Sequence, residues 1–78
     1  LYPNPATDRV TVHYRYLEPR AWLQVTTLTG QSILTRDLPE TNGTIELATH
    51  TWAPGLYICW FHNPNGQVLQ AAKLLINR

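Results

Sequence analysis

Hydrophobic and polar residues alternate with a period of two near the start of the chain. Between Arg9 and Leu17 the even positions carry apolar or aromatic side chains, which are Val10, Val12, Tyr14 and Tyr16. Successive side chains of a strand point to opposite faces. This segment is therefore predicted to be a half-buried strand whose even positions face the core.

Turn residues separate the next two predicted strands. A second alternating segment, from Ala21 to Thr29, is predicted to place Leu23 and Val25 inward. Gly30 then supplies the positive φ that a turn requires. A third strand is predicted from Ser32 to Leu38.

The dipeptide Asn42-Gly43 predicts a tight hairpin, because both central residues of a type I′ turn need positive φ and these two residues adopt it most readily. The return strand is predicted from Thr44 to Ala48, with Ile45 and Leu47 inward. Asn42-Gly43-Thr44 also fits the N-glycosylation sequon. The hairpin is the preferred interpretation, since the turn already accounts for these residues.

The last third of the chain predicts a central strand and a closing strand. Ala53-Pro54-Gly55 turns the chain into Leu56 to His62, where apolar residues run consecutively. Such a strand is expected to be covered on both faces and therefore to be central in its sheet. Asn63-Pro64-Asn65-Gly66 predicts a second hairpin turn. The closing strand is predicted to have one apolar face, formed by Val68, Ala72, Leu74 and Ile76.

Together these segments predict one small all-β domain over residues 1–78. Six to seven short strands at spacings of about 8–12 residues, with no helical periodicity, are typical of an antiparallel β-sandwich. Tyr2-Pro3-Asn4-Pro5 precedes the first strand. Its two prolines exclude a helix and impose an extended or turning backbone.

The composition narrows the choice of partners. The formal net charge is +1, and only 14% of the residues are charged, which suits a domain attached to a larger protein. The six Lys and Arg residues are scattered, whereas phosphate binding needs clustered cations, so neither nucleic acid nor an anionic membrane is expected. No apolar run approaches ~18 residues, so direct membrane insertion is not expected. Because Leu1 is not an initiator methionine, we expect the chain to be part of a longer one.

The sequence shows no arrangement typical of a catalytic or metal site. The histidines and Cys59 match none of the paired spacings of structural zinc sites, and Cys59 and His62 are predicted on opposite faces of one strand. Ser32, the only serine, lies within a strand, and the carboxylates are dispersed. We therefore predict no enzyme, metal or cofactor. Cys59, which has no disulfide partner, is interpreted as a small buried apolar residue.

Three tryptophans, Trp22, Trp52 and Trp60, are many for a domain of this size. Two of them lying coplanar on an exposed sheet face would stack on sugar rings or anchor a protein partner. Alternatively, all three cap the core and expose only their edges. A fibronectin- or lectin-like sandwich that binds carbohydrate or protein is therefore one functional hypothesis.

Three motifs, taken in order, resemble the C-terminal sorting domain of the type IX secretion system of Bacteroidetes. They are Tyr2-Pro3-Asn4-Pro5 at the start, Pro54-Gly55-Leu56-Tyr57 leading the central strand, and Lys73-Leu74-Leu75-Ile76 near the end. The resemblance spans the whole chain. Two positions depart from the family's pattern: Thr27 stands where the family often has aspartate, and Trp52 where it often has leucine.

The resemblance implies a non-catalytic targeting domain with an immunoglobulin-like sandwich fold. Domains of this family end secreted proteins, fold in the periplasm, and are recognised by the outer-membrane secretion translocon and its shuttle protein. A surface sortase then usually removes the domain from the covalently attached N-terminal cargo protein. The expected location is the periplasm in transit, and then the cell surface or the extracellular space.

The same resemblance implies recognition residues in all three motifs, which are Tyr2, Pro3, Asn4, Pro5, Gly55, Leu56, Tyr57, Lys73, Leu74 and Ile76. By alternation Lys73 points outward, whereas Leu74 and Ile76 also fit the core, where their loss would act by unfolding the signal. A receptor is expected to use an exposed strand edge or the apolar residues of the closing strand.

Overall fold

Six antiparallel β-strands in two sheets form the fold in the computed structural model, which describes residues 8–15 and 17–77. The strands are β1 (Arg9–Tyr14), β2 (Trp22–Thr27), β3 (Ser32–Asp37), β4 (Gly43–Ala48), β5 (Gly55–His62) and β6 (Val68–Ile76). One sheet contains β1 and β4, and the other has the order β3-β2-β5-β6. The predicted small immunoglobulin-like antiparallel sandwich is confirmed, with six strands. The predictions for Tyr2-Pro3-Asn4-Pro5 and Tyr16 lie outside the described residues.

The hydrophobic core lies between the two sheets. Its members are all at most 6% exposed and are Val10, Val12, Tyr14, Leu17, Ala21, Leu23, Val25, Leu38, Leu47, Tyr57, Cys59, Phe61, Leu74 and Ile76. Tyr14 on β1 and Phe61 on β5 pack across the sandwich, with their ring centroids 6.3 Å apart. The inward positions predicted for the first two strands are thus confirmed.

The strand β5 is internal to its sheet, as predicted. It pairs with β2 on one side and with β6 on the other. The turn that joins β5 to β6 is also confirmed, since Gly66 has a φ of 86° and its N–H donates to the Asn63 carbonyl at 2.9 Å. The Asn63 side-chain oxygen accepts from the backbone N–H of Gln67 at 2.9 Å, which holds the turn closed.

The hairpin predicted at Asn42-Gly43 was wrong. The strand β3 pairs with β2 while β4 pairs with β1, so the chain crosses here from one sheet to the other. Gly43 is not among the glycines with positive φ. It opens β4 opposite Tyr14, where a Cβ would lie 3.2 Å from the tyrosine hydroxyl. Pairing with β1 thus overrides the local turn preference, and the glycine makes room for a core tyrosine.

The inward position predicted for Val68 was also wrong. Phe61 pairs with Gln70 and His62 with Val68, so Leu69 is an extra residue in β6. Such a bulge shifts the alternation of side chains by one position. Val68 is consequently 52% exposed, and Leu69 packs against the core instead.

Candidate recognition surface

The segment Pro54-Gly55-Leu56-Tyr57 enters the sheet through a turn that requires glycine at position 55. Gly55 opens β5 with a φ of 148°, a backbone conformation that side chains other than glycine rarely adopt. Tyr57 is buried, and its hydroxyl donates to the Ala53 carbonyl at 2.6 Å. The Trp52 ring lies 5.2 Å from the Tyr57 ring, centroid to centroid. Gly55 and Tyr57 therefore hold the entry to β5 in place.

The register of β5 and β6 brings the second and third motifs side by side. Gly55 lies opposite Ile76, Leu56 opposite Leu75, and Tyr57 opposite Leu74. Leu74 and Ile76 are 0% and 1% exposed, so their side chains belong to the core and are not accessible on the folded surface. Leu56 lies on the opposite, outer face of the sheet and is half-buried.

Lys73 points away from the core and is exposed, as alternation predicted. It lies opposite Ile58 in the register. Within the part of the chain that the structure describes, the ion pair is Arg9 with Glu46, at 3.4 Å, and no carboxylate approaches Lys73 to within 4.0 Å. Among the described residues the Lys73 side chain is thus exposed and has no carboxylate partner.

The three tryptophans are half-buried and occupy two regions. Trp52 packs against the edge of the core, whereas Trp22 and Trp60 lie on the outer face of the four-stranded sheet. The Trp22 ring stacks on His62 at 4.2 Å, and its indole N–H donates to the Asn63 carbonyl at 3.1 Å. The Trp60 indole N–H donates to the Thr26 hydroxyl at 2.9 Å. Neither indole on the outer face therefore has its N–H available to a sugar.

A family model described as the secretion system C-terminal sorting domain matches residues 1–77. The chain belongs to this family. No curated protein and no solved structure matches the sorting domain significantly. Membership makes the domain a C-terminal sorting signal of type IX secretion, a system of Bacteroidetes, and the family is one of signals rather than catalysts. The signal acts on an attached protein that is exported.

The structure accommodates both departures of this sorting domain from the family's pattern. The Thr27 hydroxyl accepts from the Gln31 backbone N–H at 3.2 Å and lies 3.0 Å from the Thr29 hydroxyl. It therefore supplies the turn hydrogen bond expected of an aspartate, next to Gly30 with its φ of 94°. Trp52 fills its corner by packing against the core and the Tyr57 ring.

The outer face of β5 differs from the prediction that both faces of this strand are covered. Ile58 and Trp60 are only half-buried, and the described strands place no second layer over them. Sequence reasoning singled out Trp60 but missed Ile58 and Ala71, which adjoin it. The sequence did indicate an apolar outer face, because the apolar residues of β5 run consecutively instead of alternating with polar residues, as they do in a strand with one solvated face.

The described residues of the sorting domain contain no group of three His, Cys, Asp or Glu side chains close enough to hold a metal ion. Among the same residues, no helix has the length and apolar character needed to cross a membrane.

The Cys59 thiol gives the sorting domain an expected pH dependence. Burial raises the pKa of this thiol from 9.0 to about 11. As the pH rises through this interval, the thiol of the unfolded chain ionises first, so ionisation favours unfolding. We expect the free energy of unfolding to fall by up to about 3 kcal/mol more in the native domain than in Cys59→Ala.

Urea denaturation of both proteins at several pH values across this interval measures the difference. At pH values about two units or more below 9.0 the thiol is protonated in both states, and the two pH profiles are expected to run parallel. Parallel profiles up to pH 11 would show that Cys59 titrates normally in the folded domain.

Proposed function

We propose that the domain directs its N-terminal cargo across the outer membrane by presenting a folded surface to the translocon and shuttle protein of type IX secretion. The observation that carries this proposal is that the motif Lys73-Leu74-Leu75-Ile76 contains both core residues and an exposed charge. Leu74 and Ile76 lie in the core, whereas Lys73, which directly precedes Leu74 and points to the outer face of the sheet, is exposed and without a described carboxylate partner. One short motif thus combines a requirement for folding with a surface charge for recognition.

The proposed recognition surface comprises Lys73 together with Leu56, on the adjacent strand. In this proposal Gly55 and Tyr57 contribute indirectly, because they stabilise the turn into β5. Leu74 and Ile76 also contribute indirectly, because they pack in the core. Tyr2-Pro3-Asn4-Pro5 is proposed as a second recognition element. These four residues lie outside the described part of the chain, and the family motif is the support for including them.

The proposal includes the later fate of the domain. After export a surface sortase removes it, and the cargo is released or attached to the cell surface. The domain itself is expected in the periplasm in transit. Cargo recovered from the cell surface should therefore be smaller than its periplasmic precursor by the mass of the domain, which mass spectrometry of a tagged cargo measures. Surface cargo that retains the whole domain would contradict removal.

Lys73→Glu tests the recognition surface. The change reverses an exposed charge without disturbing the core, so the free energy of unfolding should stay within about 0.5 kcal/mol of the native value. We expect export of a reporter fused to the domain to fall about tenfold, the effect of losing about 1.4 kcal/mol of binding. The measurement is the fraction of reporter on the surface of cells that carry the type IX machinery.

Arg36→Glu is the matched control, because Arg36 is also exposed on the same sheet but lies on the opposite edge strand, β3. Its export should equal that of the native fusion. Unchanged export of a folded Lys73→Glu fusion would remove Lys73 from the recognition surface.

A further inference from the structure

The outer face of β5 and β6 is apolar where a two-layer sandwich is usually polar. Strands of an antiparallel sheet with one solvated face alternate between apolar and polar residues. In β5 the outward positions are Leu56, Ile58, Trp60 and His62. His62 is covered by the Trp22 ring, whereas the other three are apolar and only half-buried. Ala71 on β6 lies directly opposite Trp60. Since burial in this sandwich does not explain these residues, they point to a partner.

A recess of about 250 Å³ lies on this face and is lined by Ile58, Trp60, Ala71, Ala72 and Lys73. Two features create it. The hydrogen bond from the Trp60 indole to Thr26, on β2, holds the ring toward that strand and away from β6. Ala71, opposite Trp60, then has only a methyl group with which to fill the space. The wall of the recess is therefore fixed by the fold.

The size of the recess favours a protein side chain as its occupant. Sites for small molecules enclose about 300–1,000 Å³ and contain several convergent polar groups. This recess is smaller, and Lys73 is the one charged residue among its lining residues. A bulky apolar side chain of a protein fits it better than a sugar or a cofactor does.

The positive charge of Lys73 at the rim of the recess favours a partner that carries a carboxylate. Lys73 is the one charged residue at the outward positions of β5 and β6 in the described chain, and no described carboxylate lies within 4.0 Å of it. A partner that covers the face must pair this ammonium group, because an unpaired buried charge is costly. Two copies of the domain packed face to face about this recess would instead bring two lysines together. A second copy is therefore disfavoured.

We propose that this recess is the docking site for a segment of a type IX secretion protein that carries a bulky apolar side chain next to an Asp or Glu. The apolar side chain enters the recess against Trp60 and Ala71, and the carboxylate pairs with Lys73. This inference rests on the proposed function, since it assigns the partner to the export machinery. It adds Ile58, Trp60 and Ala71 to the recognition surface.

Filling the recess tests the proposal. The domain is fused to a periplasmic reporter, and Ala71→Trp is compared with Thr35→Trp, an exposed outward position on β3 of the same sheet. We expect Ala71→Trp to lower export about tenfold and Thr35→Trp to leave it within about twofold of the native fusion. Thermal unfolding of each purified domain checks that both variants fold.

A second pair of variants covers the case in which Ala71→Trp does not fold. Ala71→Glu places a carboxylate beside Lys73, where it competes with that of the partner, and Thr35→Glu is its control. We expect the same loss of export for Ala71→Glu and no loss for Thr35→Glu.

The outcomes separate the two proposals. A native fusion that stays in the periplasm contradicts the proposed function itself. Folded Ala71 variants that are exported normally, while Lys73→Glu is not, overturn the docking site and leave the proposed function standing. Sedimentation that shows a native dimer abolished by Ala71→Trp assigns the face to a second copy and overturns the proposal. A change in tryptophan fluorescence on titration with a glycan panel, absent in Ala71→Trp, overturns it in favour of carbohydrate.

Discussion

Leu74→Ala will lower the free energy of unfolding of the sorting domain by about 2–5 kcal/mol and abolish export of its cargo. The Leu74 side chain is 0% exposed and packs in the core between the two sheets. Truncation removes buried methyl groups and leaves a cavity. A domain of this size has little stability to lose, because total values are about 5–15 kcal/mol and small domains lie at the low end. Urea denaturation followed by tryptophan fluorescence measures the change.

The matched control is Leu28→Ala, the same substitution at a leucine that is 61% exposed. Its effect on unfolding is expected to stay within about 0.5 kcal/mol. If Leu74→Ala were as stable as the native domain and still failed in export, Leu74 would be read directly by the machinery rather than through the fold.

Tyr57→Ala is expected to destabilise the domain by about 3–5 kcal/mol, the usual range for loss of a buried aromatic ring. The ring is 6% exposed and packs on Trp52, and the hydroxyl donates to the Ala53 carbonyl at 2.6 Å. Both interactions hold the turn that leads into β5. The midpoint and slope of urea unfolding give the value.

Tyr57→Phe separates the two contributions, since it keeps the ring and loses only the hydrogen bond. Its expected cost is about 1 kcal/mol. A Tyr57→Phe variant as unstable as Tyr57→Ala would mean that the hydroxyl, not the ring, secures the turn. A Tyr57→Ala variant of native stability would contradict this structural role and would favour direct contact between Tyr57 and the export machinery.

Local patterns were sufficient for much of the fold. The strict alternation of β1 predicted Val10, Val12 and Tyr14 in the core, because one face of that strand is buried and the other is not. The turn at Gly66 lies between two segments that pair with each other, so local turn chemistry and tertiary pairing agree there. The consecutive apolar run of β5 predicted its central position, which its pairing with β2 and β6 confirms, although the outer face expected to be covered is only half-buried.

The errors arose where tertiary structure overrides the local pattern. Asn42-Gly43 has the composition of a hairpin turn, but β4 buries Leu47 by pairing with β1, and the turn preference yields. The bulge at Leu69 exchanges the roles of Leu69 and Val68. A bulge is set by the pairing of two strands, which one strand's alternation does not encode.

The candidate site was predictable to a similar extent. Alternation placed Lys73 outward, and the family motif drew attention to it. The recess beside it was not predictable, since it depends on the register that sets Ala71 opposite Trp60 and on the hydrogen bond that turns the Trp60 ring toward Thr26. Both are properties of the assembled sheet.

The most direct test of the sorting function is the surface-exposed fraction of a neutral periplasmic reporter that carries residues 1–78 at its C-terminus. The fusion is expressed in a strain with the type IX machinery and in the same strain without its outer-membrane translocon. We predict that the reporter reaches the cell surface or the medium in the first strain and stays in the periplasm in the second. Periplasmic retention of the folded fusion in both strains would contradict a sorting role for this domain.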